Sequence, residues 1–508
     1  MRIKHSIYFL LLFTSLFAAC KKDLGNYDYQ DINSVEITNI PPSLESYRGD
    51  SIKVNPQLSF SMDNTGDVSL YTYQWFVIDD SNLPVTKTVI GEEKNLSWQV
   101  NLPSVNAAYK IYFRVTEKST GQIWESKFPL KVVTDIADGW LVLNEINSES
   151  RLDFFNFNST DNNFKYYQDV LASFSTLKLQ GKPKLVYSCF RRHPFTSAIH
   201  RCIFVGTDQH TFSINTQANG FDVYENLIAQ MAANYPSPYY AEKVRAMGAS
   251  YLTYMIDSKG FVNFENPTQR SVYGTAINQT SDGILFPVSP FIAEAYAQNT
   301  SYLLMFDTEK KRFLEHRSTN RSSSVPATTS GLFDMGNVGM DLKFMDSTPA
   351  QGGEYYALLK DAANKIFLAR MSGRVGLAFV QKAFFEIDNA PELLTATQIT
   401  IDPAEGYIMY VAGSRIFRYN PFDKTNTMVV DLGSRKISLI KYQKMVYSRT
   451  NTRYIEYSRK LIICSYDEAA PNTSGKMELY TVPNLNGELT LYQSFDGLGK
   501  IVDVSYRE

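Results

Sequence analysis

The chain has 508 residues, 44% hydrophobic and 20% charged, enough to bury more than one core and too long for a single compact domain. Lys and Arg total 50 against 52 Asp and Glu, a formal charge of −2, and the basic residues are scattered without long runs, which disfavours a nucleic-acid role. Aromatic residues make up 14%, with 33 Tyr and 32 Phe, a bias that suits half-buried pleated strands and stacking on flat ligands, so an all-β protein is expected.

Arg2, Lys4 and His5 precede an apolar run from Ile7 to Phe17, and the small residues Ala18 and Ala19 follow, the order of a secretory signal over residues 1–19. The 11-residue run would rise about 17 Å as a helix, short of the ~30 Å hydrocarbon core, so it is read as a signal and not as a span. Leu16-Phe17-Ala18-Ala19-Cys20 resembles the lipobox of bacterial lipoproteins, with Phe17 in place of the usual Leu. That resemblance implies a lipid anchor on Cys20 and residues 20–33 as a polar tether.

From residue 34 to 134 short alternating segments are separated by turn residues: Val35–Ile37, Ile52–Val54, Tyr71–Val77, Leu96–Val100, Tyr109–Val115 and Phe128–Val132. Period-two alternation at this spacing predicts a β-sandwich of about 100 residues, with Trp75 filling the space between its sheets. In Tyr73-Gln74-Trp75-Phe76 and Tyr112-Phe113-Arg114-Val115 the segment resembles the PKD-like, immunoglobulin-like domain that opens a family of Bacteroidota lipoproteins.

Over residues 137–508 the strongest signal is self-similarity. A strand, a polar turn and a second strand recur seven times, starting at Trp140, Ile203, Tyr251, Tyr302, Tyr355, Tyr407 and Leu461, at intervals of 48 to 63 residues. A period of this size built from strands predicts a seven-bladed β-propeller. Lys184–Tyr187, Met340–Phe344, Thr397–Ile401 and Ile437–Ile440 read as inner strands. The first copy has none, and an unpaired strand, Lys500–Tyr506, waits at the C-terminal side; pairing the two would close the ring and remove an open edge. Helical patterns are read around Tyr167–Phe174 and Val223–Ala233, in long connections that belong to one face of the disc.

On that face Tyr235, Tyr239 and Tyr240 sit among prolines in Asn234–Tyr240, with Phe286 in the next long connection, a chemistry suited to stacking on sugar rings or gripping a peptide. Cys189 and Cys202 flank a predicted hairpin and form a candidate disulfide in an oxidising compartment, two half-buried thiols being the alternative. With His193 and His200 they evoke zinc, but Cys-x3-His and His-x-Cys match no common structural site, so neither metal nor cofactor is expected. No catalytic arrangement of Ser, His and Asp and no phosphate loop can be argued from spacing.

Signal, lipobox cysteine, PKD-like sandwich and propeller in that order resemble the PKD-like family lipoproteins that accompany SusC/SusD-like uptake systems. The resemblance implies a surface-exposed outer-membrane lipoprotein, not an enzyme, that captures a glycan or peptide for a TonB-dependent transporter. The alternatives are a propeller glycosidase or lyase, or a purely structural partner of the transporter.

Overall fold

A computed structural model describes residues 32–47, 49–63, 65, 67–79, 85–102, 108–133, 138–158, 162–192, 198–216, 221–247, 251–266, 271–294, 302–317, 320–329, 331–373, 378–444 and 450–508. Cys20 and His193 lie outside them, as do the signal and most of the tether. The chain divides into two compact units, the first made of Met1–Ser46, Asp50–Val100 and Ala107–Lys131 and the second chiefly of Val132–Glu508. Among the described residues no helix is long and apolar enough to cross a membrane.

The first unit is all-β. Its largest sheet orders Leu44–Tyr47, Ile123–Val133, Tyr109–Glu117, Tyr71–Asp79 and Thr86–Gly91, and two strand pairs, Val35–Thr38 with Gln57–Phe60 and Ser51–Val54 with Leu96–Gln99, accompany it. Alternation decides which side chains go inside: along Tyr109–Glu117, Tyr109, Ile111, Phe113 and Val115 are buried while Lys110 is exposed. Trp75 is fully buried, stacked on Phe113 at 4.4 Å, and its indole N–H donates to the Glu93 carbonyl at 3.1 Å. Gly91 lies beside it, where a Cβ would stand 3.2 Å from Leu96 Cδ1 and 3.6 Å from Trp75 Cδ1.

Among its described residues the second unit forms seven antiparallel sheets. The first joins Asn163–Tyr167, Glu149–Asn158, Gly139–Ile146 and Lys500–Arg507. The inner strands of the second to seventh are Pro183–Arg192, Ala241–Met247, Ala293–Glu294, Asp341–Thr348, Gln398–Ile401 and Lys436–Tyr442. Each sheet packs on the next through an apolar layer, such as Leu141, Leu143 and Phe154 against Val186, Ile203 and Val205. Trp140, Val142 and Tyr506 of the first sheet pack on Ile462, Cys464 and Leu479 of the seventh. Lys500–Arg507 runs antiparallel to Gly139–Ile146 with Trp140 opposite Tyr506 and Val142 opposite Val504.

Two local expectations change. The helical pattern at Val223–Ala233 is a strand, Tyr224–Asn226, followed by a single 3-10 turn, Leu227–Gln230, capped by the Asn226 side chain; pairing with Thr211–Asn215 claims the first part for the second sheet. The helix near Tyr167–Phe174 is shorter than its pattern, covering Val170–Phe174, because Tyr167 is taken into the first sheet.

Candidate functional site at the start of the inner strands

A cavity of about 690 Å³ opens where several inner strands begin, within the size range of small-ligand sites. Tyr240, one residue before Ala241–Met247, forms part of its wall, and Tyr466, the last residue of Lys460–Tyr466, another. Both rings are half-buried. Each carries a lysine: Lys184 Nζ lies 5.3 Å from the Tyr240 ring centre and Lys500 Nζ 5.9 Å from that of Tyr466. These amines are also tethered by carboxylates, Lys184 to both Glu242 oxygens at 3.3 Å and Lys500 to Glu145 Oε2 at 2.7 Å. The bond to Glu145 raises the Lys500 ammonium above its ordinary range, so it is cationic at neutral pH.

The wall near Lys182 is fixed by backbone. Lys182 N–H donates to Asp208 Oδ1 at 3.0 Å and Asp208 N–H to the Lys182 carbonyl at 2.9 Å. Gly181 makes this possible: its φ is +90°, and a Cβ would come within 2.3 Å of Asp208 Oδ1. The site therefore offers two aromatic faces, three amines and two carboxylates around one cavity. Such a set can stack on a flat ring or peptide plane and hydrogen-bond hydroxyls and amides at its edges.

Among the residues expected from sequence, Tyr240 lines this cavity. Its neighbours anchor it. Tyr239 is 1% exposed, donates its hydroxyl to Asp257 Oδ2 at 2.9 Å and stacks on Tyr235 at 4.6 Å. Ser258 N–H then donates to the Tyr240 carbonyl at 2.8 Å. The expectation that Tyr239 meets ligand is thus corrected: it is a core residue, because an apolar ring with a satisfied hydroxyl is more stable inside. Phe286 is corrected too, because an apolar ring without polar atoms is more stable inside: it is 5% exposed and packed with Met247, Ile256 and Val262. Tyr235 is half-buried against Tyr239 and does not line the cavity.

Cys189 and Cys202 face each other across Pro183–Arg192 and Ile199–Thr207, but both are buried free thiols, so the candidate disulfide is replaced by its alternative. A hydrogen bond to Cys202 raises the Cys189 thiol further than burial alone does. Among the described residues no group of three or more His, Cys, Asp or Glu is placed to hold a metal ion.

Sequence reasoning passed over Tyr466, Lys184 and Lys500. A signal existed: Lys184 and Lys500 each open a segment read as an inner strand, so the repeat register brings them to the same end of their sheets. Tyr466 carried none, because an aromatic at the end of an apolar strand reads as one more strand residue.

The PKD-like family model matches residues 20–183. No curated protein matches the sequence. Among solved structures, a quinonprotein alcohol dehydrogenase-like protein from Bacteroides thetaiotaomicron is 13% identical over 92% of this chain and 98% of its own, with a TM-score of 0.45. The extracellular domain of a one-component system from the same organism is 10% identical over 92% and 70%, at 0.39. AztD from Citrobacter koseri is 10% identical over 86% and 98%, at 0.34. At these scores the likenesses carry no argument about what this chain binds or does.

Proposed function

We propose that the second unit is a closed seven-bladed β-propeller and that the protein is an accessory binding component of a SusC/SusD-like uptake system at the outer membrane. In this reading it is held there by lipid on Cys20 and captures an oligosaccharide or short peptide without turning it over. The succession of packed sheets supports the propeller. The PKD-like match and the lipobox-like Leu16–Cys20 support the lipoprotein.

The observation that carries the binding reading is the pairing of Tyr240 and Tyr466 in one cavity, each ring flanked by a tethered lysine. Half-exposed aromatics with amines held at their faces suit the alternating apolar and polar surfaces of a sugar or peptide. A stacking contact contributes about 0.5–1.5 kcal/mol beyond area burial, so Tyr240→Ala and Tyr466→Ala should each weaken binding by about three- to ten-fold and leave the melting temperature in place. The measurement is calorimetry against a panel of oligosaccharides and peptides. Equal affinity in the double variant removes this cavity as the binding site, and product formation at turnover rates replaces the binding reading with an enzymatic one.

A further inference from the structure

The inner strands hold a second polar constellation that the cavity does not use. Lys444, two residues beyond Lys436–Tyr442, places Nζ 2.9 Å from Glu294 Oε1, 2.6 Å from Asp346 Oδ1 and 3.2 Å from Ser347 Oγ. A side chain of the seventh sheet thereby ties the inner strands of the fourth and fifth. Arg245, on the inner strand of the third sheet, approaches the same glutamate, with Nε 3.5 Å from Oε2. That separation is at the limit of a hydrogen bond, and both Arg245 Nε and Glu294 Oε2 are buried without a hydrogen-bond partner.

Lys243 lies two residues earlier on the same strand and completes the cluster. Among the described residues its ammonium has neither a hydrogen-bonded carboxylate nor another acceptor, and its recorded contact is the Phe291 ring, centred 5.4 Å away. Three cations, Lys243, Arg245 and Lys444, face two carboxylates, Glu294 and Asp346, and the further carboxylate that acts on Arg245, Asp503, is already paired with Lys441 at 2.8 Å. Lys243 is half-buried, and Asp346 and Glu294 are the opposite charges that act on it, but an arginine Nε buried without an acceptor is costly. Some surface of Arg245 remains open, 21% of its side chain, so the cluster is not sealed.

We propose that the inner strands hold a compact anion, a carboxylate or an inorganic oxyanion, between Lys243 and Arg245. Such an anion balances the excess positive charge and gives Arg245 Nε its acceptor. The site is separate from the Tyr240–Tyr466 cavity, and neither reading depends on the other. Without an anion, burial, then repulsion from Arg245 and Lys444, brings the Lys243 ammonium down to about 7 against the opposing pull of Asp346 and Glu294. Lys243 is therefore charged below that pH and neutral above it, and anion affinity falls as pH rises through 7.

The test uses the full chain, with sulfate and acetate titrated separately by calorimetry at fixed ionic strength. At pH 6 one of the two should bind, sulfate marking an oxyanion site and acetate a carboxylate site. Affinity at pH 8 should be about ten-fold weaker, the loss of protonated Lys243 over that range. Lys243→Gln should lose at least ten-fold at pH 6, and Lys243→Arg should keep binding at pH 8. Absence of binding by either anion to the wild type at pH 6 overturns the proposal. So does pH-independent affinity in the wild type, which decides the matter even if Lys243→Gln does not fold.

Discussion

Tyr239 and Tyr240 are the same residue one position apart, with opposite roles. Extended backbone turns successive side chains to opposite sides, so one ring enters the core and the next faces the cavity. The sequence shows two tyrosines after a proline and no phase, because the phase is set by how Ala241–Met247 pairs with Leu252–Asp257. The tyrosine hydroxyl at 239 has a definable worth. Asp257 also accepts from Asn263 Nδ2 at 3.0 Å and, on its other oxygen, from the Lys259 and Phe261 N–H groups, so Tyr239→Phe removes one bond without stripping the carboxylate. The expected cost is about 1–2 kcal/mol, read as a shift in the urea midpoint at unchanged slope; an unmoved midpoint would take Tyr239 out of its anchoring role. Lys243 was passed over for a different reason: an isolated lysine in an alternating strand is indistinguishable in sequence from a solvated one, and only the succession of inner strands brings other charges to it.

The strand Lys500–Arg507 shows how one element is secured from several directions. Beyond its ladder with Gly139–Ile146, Asp503 accepts the Val186 N–H at 3.0 Å and Lys441 Nζ at 2.8 Å, while Ser505 Oγ accepts the Ser188 N–H at 2.9 Å. Gln443 accepts the Tyr506 N–H at 3.1 Å. The first, second and seventh sheets are thus joined through a single strand whose Ile501, Val504, Tyr506 and Arg507 are buried. Deleting Lys500–Glu508 uncovers those contacts and the edge of Gly139–Ile146, a loss on the order of 5 kcal/mol from apolar burial alone. Scanning calorimetry should show a markedly lower transition, and an unchanged one would mean the strand does not fasten the unit. This element was legible because a repeat lacking its first strand and an unpaired strand elsewhere answer one another. The helix Thr452–Ser458 was not. It interrupts the seventh repeat under an Asn451 cap, and its Tyr454 and Tyr457 pack beside Trp140 and Tyr506. Its seven residues are too few for periodicity to stand out from strands on either side.

At the scale of the whole molecule, near-balance of 50 basic and 52 acidic residues leaves little net repulsion at neutral pH, and in acid individual buried groups act alongside the positive charge that builds as carboxylates protonate. His316 is fully buried, with Nδ1 2.8 Å from the Tyr254 hydroxyl and Nε2 2.8 Å from the Asn320 carbonyl, and burial holds it down to about 4. The unfolded chain takes up this proton near 6.5 and the folded one only near 4. The stabilisation is therefore complete above about 6.5 and declines by about 3 kcal/mol as pH falls to 4. Denaturant titrations at both pH values should show that decline in the wild type relative to His316→Phe; parallel profiles would assign acid sensitivity to other groups. The order of the sheets along the chain was readable from period alone, whereas the charges between inner strands were not, since they come from four separate sheets. The same order sets a timetable. Lys500 and Glu145, joined at 2.7 Å, are 355 positions apart, and at roughly 5–20 residues per second a ribosome needs about 20–70 s to travel from one to the other. For that interval Gly139–Ile146 has been made and its partner has not, so the nascent chain carries one waiting strand edge beside Trp140, and mispairing there is a hazard of synthesis, not of the finished fold.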